Sequence, residues 1–177
     1  ARELLSPKSE VVPSFAVSFD DGYLDTLEVA APILWALGVP FTVYVVTDVM
    51  LGKLPLPWYE LVQQSLVHAD LAGPALALLS SSAPVHAALP ARIEGPALLL
   101  LPVVMRTMKQ LPSEERKRLC DKLWDKIGTE LVSRKGVPRY LDQAGVRKLI
   151  ERGAEVSSHS CRHELLPSLN DEDLAHG

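Results

Sequence analysis

A βαβ pattern near the start of the chain is the feature that most constrains the fold. Residues 14–19 and 41–46 are short runs of apolar and aromatic side chains, so each predicts a buried strand. Between them, residues 25–37 carry apolar side chains at helical spacing, and a glycine and a proline then stop the helix. The residues of that apolar face are Leu27, Ala30, Ala31, Leu34 and Leu37. Strand, helix and strand so close together predict a parallel, right-handed unit, so we expect an α/β fold.

Two adjacent carboxylates stand where the first predicted strand ends. Asp20 and Asp21 follow the strand directly, and Gly22 supplies a tight turn before the helix. The carboxyl edge of a parallel sheet is where α/β folds place their ligand sites. The alternative is that the pair only caps the helix or forms an Asx turn. Because neighbouring side chains on a strand point to opposite sides, the turn must redirect one of them if both are to reach one site.

A second polar motif follows another predicted strand far along the chain. Residues 154–158 predict a short strand, and His159 and His163 come after it. On a helical turn, this spacing would place both imidazoles on one face, which suits a shared metal ion. Two such histidines alone are more often surface or packing residues. Together with a carboxylate from the first strand end they form a ligand set that leaves room for water and substrate, so the sequence predicts a catalytic metal centre.

The two motifs together resemble those of the polysaccharide deacetylases, the NodB-homology group of carbohydrate esterase family 4. Residues 18–22 read Ser-Phe-Asp-Asp-Gly, similar to the Thr-Phe-Asp-Asp-Gly of that family. Residues 159–163 read His-Ser-Cys-Arg-His, similar to its His-Ser/Thr-x-x-His motif. The order of the motifs and the strands before them also agree. The resemblance covers about residues 14–48 and 138–175.

The resemblance implies a function and a role for each residue of the site. Asp21, His159 and His163 would bind a divalent metal, most readily Zn²⁺, and Asp20 would act as the general base. The implied protein is a metal-dependent hydrolase of carbohydrate metabolism that removes acetyl groups from the N-acetylated, less often O-acetylated, sugars of a polysaccharide. Its products would be acetate and a free amine. The implied fold is a partial or distorted (β/α) barrel of the NodB-homology type.

The sequence departs from the family after the second motif. An Arg-x-Pro-aromatic segment and a Leu-x-His segment, which in that family stabilise the oxyanion and supply the acid, do not occur after His163. Residues 1–177 are therefore expected to form a single but incomplete deacetylase domain with about three recognisable strands. Because an open sheet needs pairing or cover at its edges, we expect the missing strands to come from another segment or subunit. We also expect this chain alone to self-associate or to be only marginally stable, and to have little deacetylase activity.

The middle of the chain predicts a helical insertion over the core. Across about residues 51–138, prolines separate short Leu- and Ala-rich pieces, and helices are predicted at 58–69 and 113–127. Ser113 is expected to cap the second of these helices. A further helix at 142–152 leads into the histidine motif. The residues predicted to face inward are Leu119, Leu123 and Ile127 in the second helix and Val146, Leu149 and Ile150 in the third.

Composition excludes some classes of partner. The net charge of −4 argues against nucleic acid as a general partner. The longest apolar run, residues 96–105, is too short to span a bilayer, so no transmembrane segment is expected. Two cysteines give no disulfide framework, and Cys161 lies between the two histidines, so no disulfide is expected. Nothing in the sequence identifies a compartment.

Two alternative functions remain open beside the deacetylase. A catalytically incomplete metal- or glycan-binding fragment would keep the metal ligands without turnover. Two histidines and one carboxylate also suit non-haem iron oxygenases. Those enzymes usually place the carboxylate two residues from the first histidine, where this chain has Cys161. A deacetylase acting on acetylated glycans is therefore the favoured interpretation.

Overall fold

Three parallel strands form the sheet of this α/β protein. The computed structural model describes residues 15–92, 94–169, 171 and 174. The strands are β1 (Val17–Phe19), β2 (Phe41–Val45) and β3 (Glu155–Ser158). β1 pairs with β2 and β2 with β3, both in parallel, so β2 is the central strand. All three predicted strands are confirmed with slightly shorter bounds, and Ser14 of the first prediction lies outside the described residues.

Helices occupy most of the other described residues. In chain order they are α1 (Ala31–Ala36), α2 (Thr47–Met50), α3 (Trp58–Val67), α4 (Ala69–Leu79), α5 (Ala83–Ala88), α6 (Leu101–Gln110), α7 (Ser113–Leu123), α8 (Thr129–Val132) and α9 (Gln143–Glu151). A π-helical segment, Thr26–Ala30, leads directly into α1, and another, Trp124–Gly128, joins α7 to α8. Among the described residues, no helix has both the length and the apolar character that crossing a membrane requires.

The described sheet is open rather than closed into a barrel. Over the residues that the structure covers, β1 and β3 each pair with β2 alone, so the NodB-type barrel is not confirmed. Because all three strands run in parallel, their carboxyl ends meet at one edge. Asp20 and Asp21 follow β1 at this edge, and His159 follows β3. The fold therefore places both predicted motifs at the same edge of the sheet.

The sheet and the helical region each have an apolar core. Around the sheet, Val43 of β2 and Leu149 of α9 are fully buried. The helices α3 to α8 enclose a larger cluster, which includes Val62, Leu79 and Leu123. Burying one such Val or Leu side chain stabilises the folded state by ~1.5–3 kcal/mol. The helical region is thus held by its own core, and the prediction of a single domain stays a prediction.

The predicted inward face is correct for the helix predicted at residues 113–127, and the predicted faces are partly wrong beside the sheet. The three side chains predicted for residues 113–127 are buried: Leu119, Leu123 and Ile127. Leu37 is 70% exposed, because α1 ends at Ala36 and its buried face ends with it. Ile150 is 55% exposed, because the adjacent Leu149 takes the inward position on α9.

The predicted cap of α7 is wrong. Ser113 is the first residue of the helix, and Pro112 holds the N-cap position without a side-chain hydrogen bond. A proline there fixes the backbone before the helix, so Ser113 is already inside the first turn. Asp142, in contrast, caps α9, because its carboxylate accepts a hydrogen bond from the backbone N–H of Gly145 at 2.7 Å.

Candidate metal centre

The turn after β1 separates the two adjacent aspartates. Asp21 has a left-handed backbone with φ of 68°, and Gly22 follows with φ of 76°. The Gly22 N–H donates to the carbonyl oxygen of Asp20 at 2.9 Å, which closes the turn. The side chain of Asp21 is only 16% exposed, whereas Asp20 is exposed. The turn thus redirects Asp21 into the protein and leaves Asp20 facing solvent.

The two histidines lie in a non-helical loop after β3, residues 159–163, which we call the histidine loop. The helical turn expected from their spacing is wrong, because Ser160 and His163 have left-handed backbones with φ of 65° and 56°. The backbone N–H of His163 donates to the hydroxyl oxygen of Ser160 at 2.9 Å and stabilises this conformation. The loop, not a helix face, therefore brings the two imidazoles together.

Backbone hydrogen bonds tie the histidine loop to β2 and α2. The N–H of His159 donates to the carbonyl oxygen of Val45 at 2.8 Å, which extends the pairing of β3 with β2. The first two N–H groups of α2 donate to the carbonyl oxygens of Ser160 and Cys161 at 3.1 and 2.9 Å. These N–H groups are among those that a helix leaves unpaired at its start, so α2 holds the loop without giving up a hydrogen bond of its own.

Left-handed backbone conformations outside glycine are confined to this site within the described residues. The three positions are Asp21, Ser160 and His163. Each costs ~1–3 kcal/mol and persists only where the surrounding structure enforces it. Two of the three are predicted metal ligands, so the strained backbone coincides with the predicted chemistry.

Asp21, His159 and His163 converge at the sheet edge. The Oδ1 atom of Asp21 lies 3.5 Å from Nε2 of His159 and 3.2 Å from Nε2 of His163. Taking one ligand atom from each residue, all three lie within 4.8 Å of one another. The structure therefore brings together the three residues that the sequence predicts as metal ligands.

This set of side chains fits a divalent metal. The Oδ1 atom of Asp21 is buried and accepts no hydrogen bond within the described part of the chain. Leaving a buried acceptor without a donor costs at least ~1–3 kcal/mol, and a cation facing Oδ1 would remove that cost. One carboxylate and two imidazoles are ligands that catalytic metal sites use, with positions left open for water and substrate. The three residues could thus hold a divalent ion.

The electrostatics of the site favour an ionised carboxylate. Burial by itself raises the pKa of Asp21, but the interactions with His163 and Tyr59 and the charge of His159 outweigh it, so the pKa lies below its usual 3.8. The Asp21 carboxylate raises the pKa of His163 above its usual 6.5, while burial of the imidazole opposes this. Asp21 and His163 thus stabilise each other in their charged forms.

Two aromatic residues at the start of α3 also reach the site. The hydroxyl of Tyr59 donates to Oδ2 of Asp21 at 2.6 Å, and its ring lies 4.8 Å from the His163 ring. The indole Nε1–H of Trp58 donates to the carbonyl oxygen of His163 at 3.2 Å. Sequence reasoning missed both residues. Their signal is an adjacent Trp-Tyr pair after Pro57, where a predicted helix begins in a region otherwise rich in Leu and Ala.

A half-buried cluster of tyrosines extends away from Asp21. The Tyr23 hydroxyl donates to Oε2 of Glu60 at 3.1 Å, and Oε1 of Glu60 accepts from the amide of Gln64 at 2.8 Å. The rings of Tyr23 and Tyr140 stack with centroids 4.9 Å apart. Burial is the main cause that raises the pKa values of Tyr23, Tyr59 and Tyr140. All three phenols therefore remain protonated at neutral pH, and those of Tyr23 and Tyr59 donate to carboxylates.

Asp20 lies near the site but outside the converging group. Its side chain is exposed, and its charge contributes to the raised pKa of His163. The role of general base stays a prediction for this residue. Cys161 forms no disulfide among the described residues, as expected.

A buried arginine binds Glu164, the residue that follows the histidine loop. Arg116 of α7 is 1% exposed, and its guanidinium donates to Oε2 of Glu164 at 2.9 Å and to the carbonyl oxygen of Leu111 at 3.1 Å. The same guanidinium lies 5.3 Å from the centre of the Trp58 ring. Arg116 therefore contacts both the residue that follows the histidine loop and Trp58, which binds the loop.

No family model, curated protein or solved structure matches this chain. The resemblance to polysaccharide deacetylases therefore rests on the two sequence motifs alone.

Proposed function

We propose that this chain is a metal-dependent hydrolase that removes acetyl groups from the N-acetylated sugars of a polysaccharide, with zinc as its metal. The observation that carries the proposal is the convergence of Asp21, His159 and His163 at the carboxyl edge of the parallel strands. The buried Oδ1 of Asp21 adds support, because it accepts no hydrogen bond in the described part of the chain and a cation opposite it would offset the cost of its burial.

Each residue has a distinct part in the proposed reaction. Asp21, His159 and His163 are the proposed metal ligands. When bound, a divalent metal lowers the pKa of water toward ~7 and polarises a carbonyl oxygen. Asp20 is the proposed base that accepts a proton from water, because it is the second carboxylate at the same strand end. Its exposure at the sheet edge leaves it accessible to a polymeric substrate.

Metal content measured together with acetate release tests the proposal. Purified protein incubated with zinc and desalted should retain zinc, and the double variant His159→Ala/His163→Ala should not. Oligomers of N-acetylglucosamine are the substrate, and acetate release should require the metal. Equal zinc content in the wild type and the double variant would remove the basis of the proposal. His86→Ala is the matched control, because this histidine lies on α5 and is outside the converging group.

A second candidate is a metal- or glycan-binding fragment without turnover. The observation that favours it is the open sheet of three strands over the described residues, where the resemblance implies a barrel. Zinc retention without any acetate release, under conditions in which a known deacetylase is active, would support this candidate over the hydrolase.

A further inference from the structure

Two neighbouring residues of α3 contact both ligand-bearing segments. The Tyr59 hydroxyl donates to the carboxylate of Asp21 after β1, and the Trp58 indole donates to the backbone of His163 after β3. The two bonds are 2.6 and 3.2 Å long. One turn of helix therefore connects the two strand ends that the sheet only brings near each other.

The hydrogen bond from Tyr59 distinguishes the two oxygens of the Asp21 carboxylate. It occupies Oδ2, whereas Oδ1 faces Nε2 of both histidines and has no donor in the described structure. A carboxylate rotating freely about its terminal bond would turn its plane away from the imidazoles. The short bond to Tyr59 restrains that rotation, so the second oxygen stays directed at the converging imidazoles.

The start of α3 is itself held firmly. Trp58 is 8% exposed, and the guanidinium of Arg116 packs over its ring. One turn further along, Leu61 and Val62 are buried in the core of the helical region at 4% and 0% exposure. The two donors thus project from a packed element rather than from a loop, as precise positioning requires.

We propose that Trp58 and Tyr59 are positioning residues of the metal centre. Tyr59 orients Asp21 so that Oδ1 faces the metal, and Trp58 holds the left-handed backbone of His163 so that its imidazole faces the same point. This inference rests on the proposed metal site. In this proposal the helical region positions the metal ligands and does not merely pack over the sheet.

Zinc affinity of conservative aromatic variants tests the inference. Tyr59→Phe removes only the hydroxyl and keeps the ring against His163. We expect its zinc affinity, measured by competition with a chromogenic chelator, to fall ~10–100-fold, as for other residues that orient metal ligands. Tyr23→Phe is the matched control, because its hydroxyl donates to Glu60 instead, and its affinity should stay within about threefold of wild type. Trp58→Phe should also weaken zinc binding by several-fold.

The outcomes separate this inference from the proposed function. Wild-type affinity in Tyr59→Phe, or an equal loss in Tyr23→Phe, would overturn the inference while leaving a deacetylase possible. Zinc binding that depends on Tyr59 without any acetate release would support the inference and count against the hydrolase. A wild type that retains no zinc would overturn both. Thermal unfolding of each metal-free variant completes the test, since affinity loss with an unchanged midpoint excludes a general loss of folding.

Discussion

Gly22 packs so closely against Val45 that a Cβ atom at position 22 would lie 2.9 Å from Cγ1 of Val45. Gly22 also has φ of 76°, a conformation that other residues adopt only with strain. It directly follows Asp21, and Val45 accepts the hydrogen bond from the N–H of His159. A single contact between the turn and β2 therefore helps to set the position of two ligand residues.

We expect Gly22→Ala to destabilise the metal-free protein by ~2–5 kcal/mol, because it adds a clash to the backbone strain. Gly38→Ala is the matched control: its φ is 65°, but nothing lies within 4 Å of the added Cβ. Gly38→Ala should lower the free energy of unfolding by ~1–2 kcal/mol, because it adds backbone strain without a clash. Urea unfolding measures both values. An equal loss of unfolding free energy in the two variants would show that the contact with Val45 does not contribute to stability.

Substitution of each aspartate by asparagine should distinguish metal binding from catalysis. Asp20→Asn is expected to keep zinc affinity close to wild type and to lower the rate of acetate release by ~10²–10⁴-fold, the usual contribution of a general base. Asp21→Asn should weaken zinc binding itself, because it removes the charge of the carboxylate ligand. Chelator competition and acetate release measure the two effects. The reverse pattern would mean that the two roles are exchanged.

The stability of the metal-free protein should depend on pH through Asp21 and His163. The lowered pKa of Asp21 stabilises the fold above its usual value of 3.8, and this contribution disappears as pH falls through the lowered pKa. The raised pKa of His163 stabilises the fold below its usual value of 6.5, and this contribution disappears as pH rises through the raised pKa. These two groups therefore contribute most between those values.

Urea unfolding in EDTA at several pH values measures this dependence. His163→Gln should remove the decline on the alkaline side and weaken the decline on the acid side, because His163 is one cause of the lowered pKa of Asp21. His86→Gln serves as the control, because this histidine lies on α5 and outside the converging group. An unchanged alkaline decline in His163→Gln would contradict the assignment to that imidazole.

Arg116 should be important for stability because it is buried and paired. Arg116→Met leaves the Glu164 carboxylate, 27% exposed, without its 2.9 Å partner. We expect a loss of ~2–4 kcal/mol, near the lower end for a broken buried pair, because Glu164 retains some contact with water. Lys117→Met is the control, since its pair with Asp121 is exposed and contributes ~1 kcal/mol at most. Urea unfolding measures both variants. A similar loss of unfolding free energy in the two would contradict a structural role for the buried pair.

The local parts of this fold could be predicted from the sequence. The strands and the helix of the first βαβ unit carry periodic apolar side chains, and a parallel arrangement follows from their spacing. Because parallel strands end at a common edge, Asp21 and the two histidines could be expected to meet there. Their convergence depends on strand direction, which the βαβ pattern indicates for the first two strands.

The remaining features depend on contacts that no local pattern records. Tyr59 reaches Asp21 because α3 packs at the sheet edge. The sequence of α3 predicts a helix but does not indicate where that helix packs. The conformation of the histidine loop depends on N–H groups of α2, which capture the carbonyl oxygens of Ser160 and Cys161. Spacing alone suggested a helical turn there. Ile150 and Leu37 were misassigned because periodicity identifies an apolar stripe but not where its cover ends.

The converging ligands come from segments that adjoin only in the folded chain, so a bound ion would act as a thermodynamic cross-link. An ion that binds the folded state alone adds ~2.7 kcal/mol to the free energy of unfolding at a concentration 100 times its Kd. Because Trp58 and Tyr59 join α3 to the same point, that gain extends to the helical core. Ion binding should then slow amide hydrogen exchange in α3 and in β2 at the same time, although the two segments belong to different apolar clusters.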